Sequence, residues 1–137
     1  MSTKNKKYTK EQDEERYKII KVEKSGNKYM DDCINFVINL EQLSKLIKKK
    51  YVNLQSRHNN SPVIEEFYNF VKDNKINNLE FEGFITCNER EDRGIYLNGL
   101  HGDIPDNKLR QLINFANRPD EFYIRMAQDG YFRLWWD

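Results

Sequence analysis

Long apolar segments are absent from this sequence, and their absence limits the classes of protein that it can encode. No run approaches the roughly 20 apolar residues that a membrane-spanning helix needs. The opening residues, MSTKNKKYTKEQDEERY, lack the apolar centre of a secretion signal. We therefore expect a cytoplasmic protein that does not bind membranes.

Cysteine and histidine are also scarce. The two cysteines, Cys33 and Cys87, are far apart and form no Cys-x-x-Cys pair, and His58 and His101 have none of the spacings that bind zinc. This distribution predicts reduced thiols, no metal site and no cofactor. An acidic cluster in EREDR could attract a hard cation, but its two arginines favour a solvated turn that compensates its own charge. The acidic residues of that cluster are Glu89, Glu91 and Asp92.

Sequence motifs for catalysis are missing as well. The chain has no glycine-rich phosphate loop and no nucleophile elbow, so we predict that the protein is not an enzyme. The alternative is an enzyme with a site near His101 and Asp103 in the segment GLHGDIPD, where glycines would let a ligand approach the backbone. Cys87 would then be the nucleophile and His101 its base.

Aromatic residues, by contrast, are abundant. Eight Phe, eight Tyr and two Trp provide large side chains for a core, and a chain of 137 residues is long enough to bury one. The start of the chain is polar and lacks periodicity. We therefore predict a flexible, charged arm over residues 1–14, which takes no part in the core, and a single α+β domain over residues 15–137.

Charge is distributed unequally along the chain, although the net charge is only +1. Residues 1–60 contain 14 Lys and Arg against 8 Asp and Glu, a net charge of +6, whereas residues 61–137 contain 9 against 14, a net charge of −5. The lysines cluster at 4–10 and at 48–50 without interleaved aromatic residues, which is typical of a solvated surface. A nucleic-acid-binding accessory protein that uses this half is an alternative function.

Hydrophobic periodicity predicts the elements of the domain. Alternation over residues 16–40, on both sides of Ser25-Gly26-Asn27, predicts a hairpin. Asn39 and Gln42 resemble a capping box and predict a switch from strand to helix at Asn39, although the spacing over residues 31–50 also permits one continuous helix. A further helix is predicted to start at Ser61-Pro62. The remaining predicted elements are strands at 78–87, with a bulge at Gly83, and at 95–100, a helix at 108–117 with Leu109, Leu112, Ile113 and Ala116 inward, and a hairpin of 121–127 with 131–137.

These elements predict an α+β fold, in which an antiparallel sheet of hairpins has about three helices packed on one face. The last hairpin contains two adjacent tryptophans, and neighbouring side chains of a strand point to opposite faces. A three-residue loop of Gln128, Asp129 and Gly130 would place Phe122 opposite Trp136 on an apolar face and would make Trp136 a core residue. The other predicted pairs are Ile124 with Leu134 and Met126 with Phe132 on that face, and Tyr123 with Trp135, Arg125 with Arg133 and Ala127 with Tyr131 on the opposite one.

Two arginines that face each other repel, so an anion is expected close to them. Glu80 and Glu82 on an adjacent strand could supply it within the chain, or an acidic partner could supply it from outside. The functional hypothesis depends on the second source: a noncatalytic, cytoplasmic protein-binding module, of the kind found among small inhibitors, immunity proteins and phage or host modulators. Stacked nucleic-acid bases are an alternative ligand of the same face. The predicted partner-binding residues are Tyr123, Arg125, Tyr131, Arg133 and Trp135.

Overall fold

One five-stranded antiparallel sheet organises the part of the chain that this computed structural model describes, which is residues 7–27, 29–76, 78–125 and 130–137. Its strand order is β1-β2-β3-β5-β4. The predicted α+β class with an antiparallel sheet is confirmed, with four α-helices in the described ranges. The elements are α1 (Lys10–Ile20), β1 (Cys33–Asn39), α2 (Leu40–Lys48), α3 (Ile64–Asp73), β2 (Leu79–Thr86), β3 (Gly94–Asp103), a 3-10 turn (Asp106–Lys108), α4 (Leu109–Phe115), β4 (Glu121–Ile124) and β5 (Tyr131–Trp135).

Alternating side chains of the strands form the core on one face of the sheet. On β2, Phe81 and Ile85 are fully buried while Glu80 between the strand neighbours is exposed, as expected for a sheet that is covered on one side. Each large apolar side chain removed from water contributes about 1.5–3 kcal/mol to stability. None of the helices in the described ranges has the length and apolar character that a membrane span requires. Other core residues are Phe36, Ile38, Leu43, Leu46, Ile64, Phe67, Val71, Leu97, Leu112, Phe132, Leu134 and Trp136.

The switch from β1 to α2 occurs at Asn39, as predicted. The Asn39 side-chain oxygen accepts a hydrogen bond from the Gln42 backbone N–H at 2.9 Å, and the Gln42 side chain accepts one from the Asn39 N–H at 2.9 Å. This reciprocal pair satisfies donors that the first turn of a helix leaves without partners. The alternative of one continuous helix over residues 31–50 is wrong, because Cys33–Asn39 pairs with β2.

The hairpin predicted around Ser25-Gly26-Asn27 is wrong, because its first half belongs to α1. Thr9 caps that helix and forms a capping box with Gln12. Residues 10–14 of the predicted arm therefore lie in α1, and the arm is shorter than predicted. Residues 1–6 are outside the described ranges.

A buried arginine attaches α1 to the sheet. Arg16 is fully buried, its Nε donates to the Asp13 carboxylate at 2.8 Å, and its Nη2 donates to the backbone oxygen of Thr86 at 3.0 Å. The guanidinium also lies 4.6 Å from the centre of the Tyr8 ring. Asp13 is buried as well and bonds to the Lys24 ammonium. The expectation that residues 1–14 have no role in the core is therefore wrong for Asp13.

Two helices differ in detail from the predictions. α3 begins at Ile64 instead of Pro62, and Glu66, not Ser61, accepts a hydrogen bond from the N-cap, the Val63 N–H, at 3.0 Å. On α4, Leu112 is buried as predicted, but Ile113 is 52% exposed. A seven-residue helix has room for few inward positions.

Candidate functional site

The terminal hairpin adopts a register that differs by two residues from the predicted one. Phe122 lies opposite Leu134 and Tyr123 lies opposite Arg133, so Phe122 does not face Trp136. Arg125 does not face Arg133 either; its N–H donates to the Tyr131 oxygen at 2.7 Å. The predicted loop residues Gln128 and Asp129, and the pairs that involve Met126 and Ala127, lie outside the described residues.

The predicted faces survive this correction, because a shift of two residues returns every side chain to the same side of the sheet. Trp136 is fully buried, and Trp135 lies half-buried on the opposite side. We call that side the open face. Its cross-strand rows are Glu80, His101, Arg133 and Tyr123, and Glu82, Gly99, Trp135 and Glu121, each given in the order β2, β3, β5, β4.

Arg133 is neutralised by carboxylates of the same chain. Its Nε and Nη2 donate to the two oxygens of Glu82 at 2.9 and 2.8 Å, and its Nη1 donates to Glu121 at 3.0 Å. The prediction that Arg125 and Arg133 repel each other is wrong, and the intramolecular source of the anion that named Glu82 is confirmed. The geometric reason for an acidic partner therefore no longer applies to Arg133.

Glycine at position 99 makes this ion pair possible. Glu82 on β2 and Arg133 on β5 are separated by β3, a distance of about 10 Å between outer strands. Gly99 lies between Glu82 and Trp135 in the row, so no side chain fills the space above β3. A Cβ at Gly99 would be only 3.0 Å from the Leu134 oxygen and 3.1 Å from the Glu82 Cβ.

The same missing side chain leaves a groove of about 620 Å³ on the open face. Trp135 and the 48% exposed Val37 supply apolar wall area, and the amides of Asn35 and Asn98 line it. Its size falls within the range of small-molecule and side-chain pockets. The other lining residues are Ile20, Lys21, Val22, Phe36, Gln42, Glu82, Gly83 and Arg133.

Glu82 is held in its charged form. Burial alone would raise its pKa, but hydrogen bonds from His101 and Arg133, together with their positive charge, lower the pKa of Glu82 to about 2. The His101 Nδ1 lies 3.0 Å from Glu82, and its Nε2 lies 3.3 Å from Glu80. The hydrogen bond with Glu82 raises the pKa of His101, burial opposes this, and Glu80 adds to it. The open face thus contains a fixed network of charges.

The raised pKa of His101 predicts a dependence of stability on pH. A histidine whose pKa is higher in the folded state stabilises the fold fully below its unfolded pKa of about 6.5 and loses that contribution as pH rises through the folded value. Because Glu82 stays ionised at pH 5.5, we expect His101→Gln to destabilise by about 1.5 kcal/mol at pH 5.5 and by less at pH 9. Urea unfolding at both pH values measures this.

His58→Gln provides the control for that experiment. His58 packs edge-on against Phe84, with ring centres 5.0 Å apart, instead of against a carboxylate. Its replacement should change stability equally at both pH values. A loss for His101→Gln that is the same at pH 5.5 and pH 9 would contradict the assigned network.

The five predicted partner-binding residues all lie on the open face. The Arg125 guanidinium lies 5.5 Å from the centre of the Tyr131 ring, and the Arg133 guanidinium lies 5.8 Å from that of Trp135. Tyr123 is 47% exposed. The sequence predicted this set from alternation alone. It did not predict Val37, Gly99 or His101 as members of the face, because their place depends on the order of the strands.

The catalytic pair of Cys87 and His101 does not form. His101 lies opposite Glu80 near the start of β2, whereas Cys87 follows Thr86 at the other end of that strand. Asp103 lies opposite Tyr131 and is exposed. Both cysteines are unpaired thiols, with Cys33 exposed and Cys87 buried.

Other candidate sites from the sequence show mixed charge. In EREDR, Arg90 binds both carboxylate oxygens of Asp92 at 2.7 Å, and among the described residues no three His, Cys, Asp or Glu side chains come close enough to hold a metal ion. The lysines of α1 and α2 are interleaved with acids, and Lys49 lies 3.5 Å from Glu15. Around the groove between these helices, Lys18, Lys21, Lys45 and Lys49 alternate with Glu15 and Glu41.

Comparison of the chain with protein-family models, with curated proteins and with solved structures yields no match.

Proposed function

We propose that the protein is a noncatalytic module that binds another protein through the open face, with Trp135 and the adjacent groove at the centre of the contact. The observation that carries this proposal is the half-buried Trp135 beside a groove whose floor is Gly99 and whose opposite wall includes the exposed Val37. A partner side chain that enters the groove would contact both walls and remove them from water.

The composition of the open face supports a protein partner. Tryptophan, tyrosine and arginine are the residue types that most often dominate binding energy in interfaces. Arg133 is fixed by two carboxylates before any partner arrives, so its binding requires little ordering of that side chain. The acidic partner surface expected from the sequence is not needed, because Glu82 and Glu121 compensate this arginine. The proposal retains the cytoplasmic setting and the class of inhibitor or modulator proteins.

A pull-down with groove variants tests the proposal. The full chain carries Trp135→Ala, which removes one wall, or Val37→Arg, which fills the groove from the other. We expect both variants to lose a partner that the unmodified chain retains from its native cells, with recovery measured by quantitative mass spectrometry and reduced at least about tenfold. Arg133→Glu is avoided because it would place a third carboxylate beside Glu82 and Glu121.

The matched control is Ile113→Arg, which adds the same charge at an exposed apolar position on α4. This variant should retain the partner. All variants should unfold within about 1 kcal/mol of the unmodified chain in urea, as expected for surface substitutions. Equal recovery of every protein by Trp135→Ala, Val37→Arg and Ile113→Arg would refute binding at the groove.

A further inference from the structure

A loop between α1 and β1 places two large hydrophobic side chains in solvent. Tyr29 is 91% exposed and Met30 is 66% exposed, more than any other exposed large hydrophobic residue of the described chain. Tyrosine and methionine are enriched in protein interfaces relative to the rest of the surface. Single exposed apolar residues are common, but two large neighbours on one projection form a potential contact site.

Hydrogen bonds inside the loop fix its backbone. The Asp31 carboxylate accepts hydrogen bonds from the Ser25 N–H at 2.7 Å, the Ser25 hydroxyl at 3.0 Å and the Gly26 N–H at 3.0 Å. The Asp31 N–H donates to the Asn27 carbonyl at 2.9 Å, and the Tyr29 N–H donates to the Asn27 side chain at 3.0 Å. Gly26 has a φ of +83°, a conformation that glycine adopts without strain.

Both ends of the loop are attached to the rest of the fold. On the N-terminal side, the Lys24 ammonium bonds to the buried Asp13 of α1. On the C-terminal side, the Asp32 carbonyl accepts a hydrogen bond from the Cys87 N–H at 3.1 Å, and the Asp32 carboxylate binds Arg90 at 3.0 Å. Tyr29 and Met30 are therefore presented on a backbone that is fixed on both sides.

We propose that Tyr29 and Met30 form a second contact site, which inserts into an apolar pocket of a partner protein. A narrow convex projection can be buried only by a concave surface. Lys24, Asp31 and Asp32 are engaged within the chain, so these charges are not available to attract lipid headgroups or phosphates. A rigid loop also loses little conformational freedom when it binds. This site does not depend on the open face.

A photocrosslinking experiment identifies the partner. The full chain carries a photoreactive phenylalanine derivative in place of Tyr29 and is expressed in its native cells. The control chain carries the same group in place of Ile113, which is also exposed. We expect one protein to crosslink at position 29 and not at position 113. If no protein crosslinks at position 29 above the level of the control, the proposal is wrong.

Binding of that purified protein to variants then decides the role of the loop. By calorimetry, we expect Tyr29→Ala to weaken affinity at least about tenfold and Met30→Ala severalfold. Asp31→Ala should also weaken affinity, because the loop must then be ordered on binding. Unchanged affinity of Tyr29→Ala would overturn the proposal, as would Tyr29-dependent sedimentation of the chain with lipid vesicles.

Trp135→Ala separates this inference from the proposed function. That variant should bind the loop partner with unchanged affinity, because Trp135 lies on the open face, whereas the loop is bonded to Cys87 beyond the end of β2. Failure of the groove variants to affect the pull-down would thus leave the loop site standing, and failure of Tyr29→Ala would leave the groove standing.

Discussion

Replacing Asp13 with alanine should lower the free energy of unfolding by about 3–5 kcal/mol, although Asp13 lies in a segment that looks like a surface helix. The reason is the fully buried guanidinium of Arg16, for which Asp13 is the carboxylate partner. Without this partner, the charge of Arg16 stays in the interior with only the Thr86 carbonyl and aromatic rings beside it. Equilibrium unfolding in urea, followed by circular dichroism, measures the loss.

Three further variants isolate the cause. Glu14→Ala, at the exposed neighbouring position, should change stability by less than about 0.5 kcal/mol. Arg16→Met removes the buried charge itself and should cost less than Asp13→Ala, since a hydrophobic replacement of a buried ion is often tolerated. One nitrogen of Arg16, Nη1, has no partner among the described residues, which lowers the cost further. If Asp13→Ala in the Arg16→Met background were as harmful as alone, the pairing argument would fail.

The faces of the strands could be predicted from the sequence, whereas the register of the last hairpin could not. Alternation has a period of two, so it places Trp136 in the core and Trp135 outside for every register that differs by an even number of residues. The choice among those registers depends on the loop, and the pairing of Arg125 with Tyr131 leaves residues 126–130 for the connection. Five-residue hairpin loops are common, and glycine at position 130 is compatible with either length.

The helix α1 was not predicted because its stabilising contacts are distant in sequence. Over residues 16–24 the apolar residues fit alternation as well as helical spacing, so local pattern favours no single structure. Arg16 binds Thr86, which is 70 residues away, and Tyr8 binds Asn88 through a hydrogen bond that spans 80 residues. Tertiary contacts of this kind override weak local propensity.

The candidate site could be predicted in part, for a similar physical reason. Alternation identified Arg133 and Trp135 as outward residues, and Glu82 was recognised as outward on its own strand. Their meeting requires that β3 lie between β2 and β5 and that its residue in the row be Gly99. Strand order is a property of the whole fold, and no local pattern of a single sequence determines it.

The two adjacent tryptophans should differ sharply in their effect on stability. Trp136→Ala should lower the free energy of unfolding by about 3–5 kcal/mol, because it removes a fully buried side chain and leaves a large cavity. The lost ring packs against Phe67 and Phe115, with centres 5.6 and 6.5 Å away, and its Nε1 donates to the Asn117 oxygen at 3.0 Å.

Trp135→Ala is the matched control one residue away. It removes a half-buried ring and a contact with the Arg133 guanidinium that is worth about 0.5–1 kcal/mol, so its total cost should stay near 1 kcal/mol. Urea unfolding of both variants, followed by far-ultraviolet circular dichroism so that the lost fluorophore does not matter, compares them directly. Equal losses for the two variants would contradict the assignment of Trp136 to the core and of Trp135 to the open face, and would remove the basis for a contact centred on Trp135.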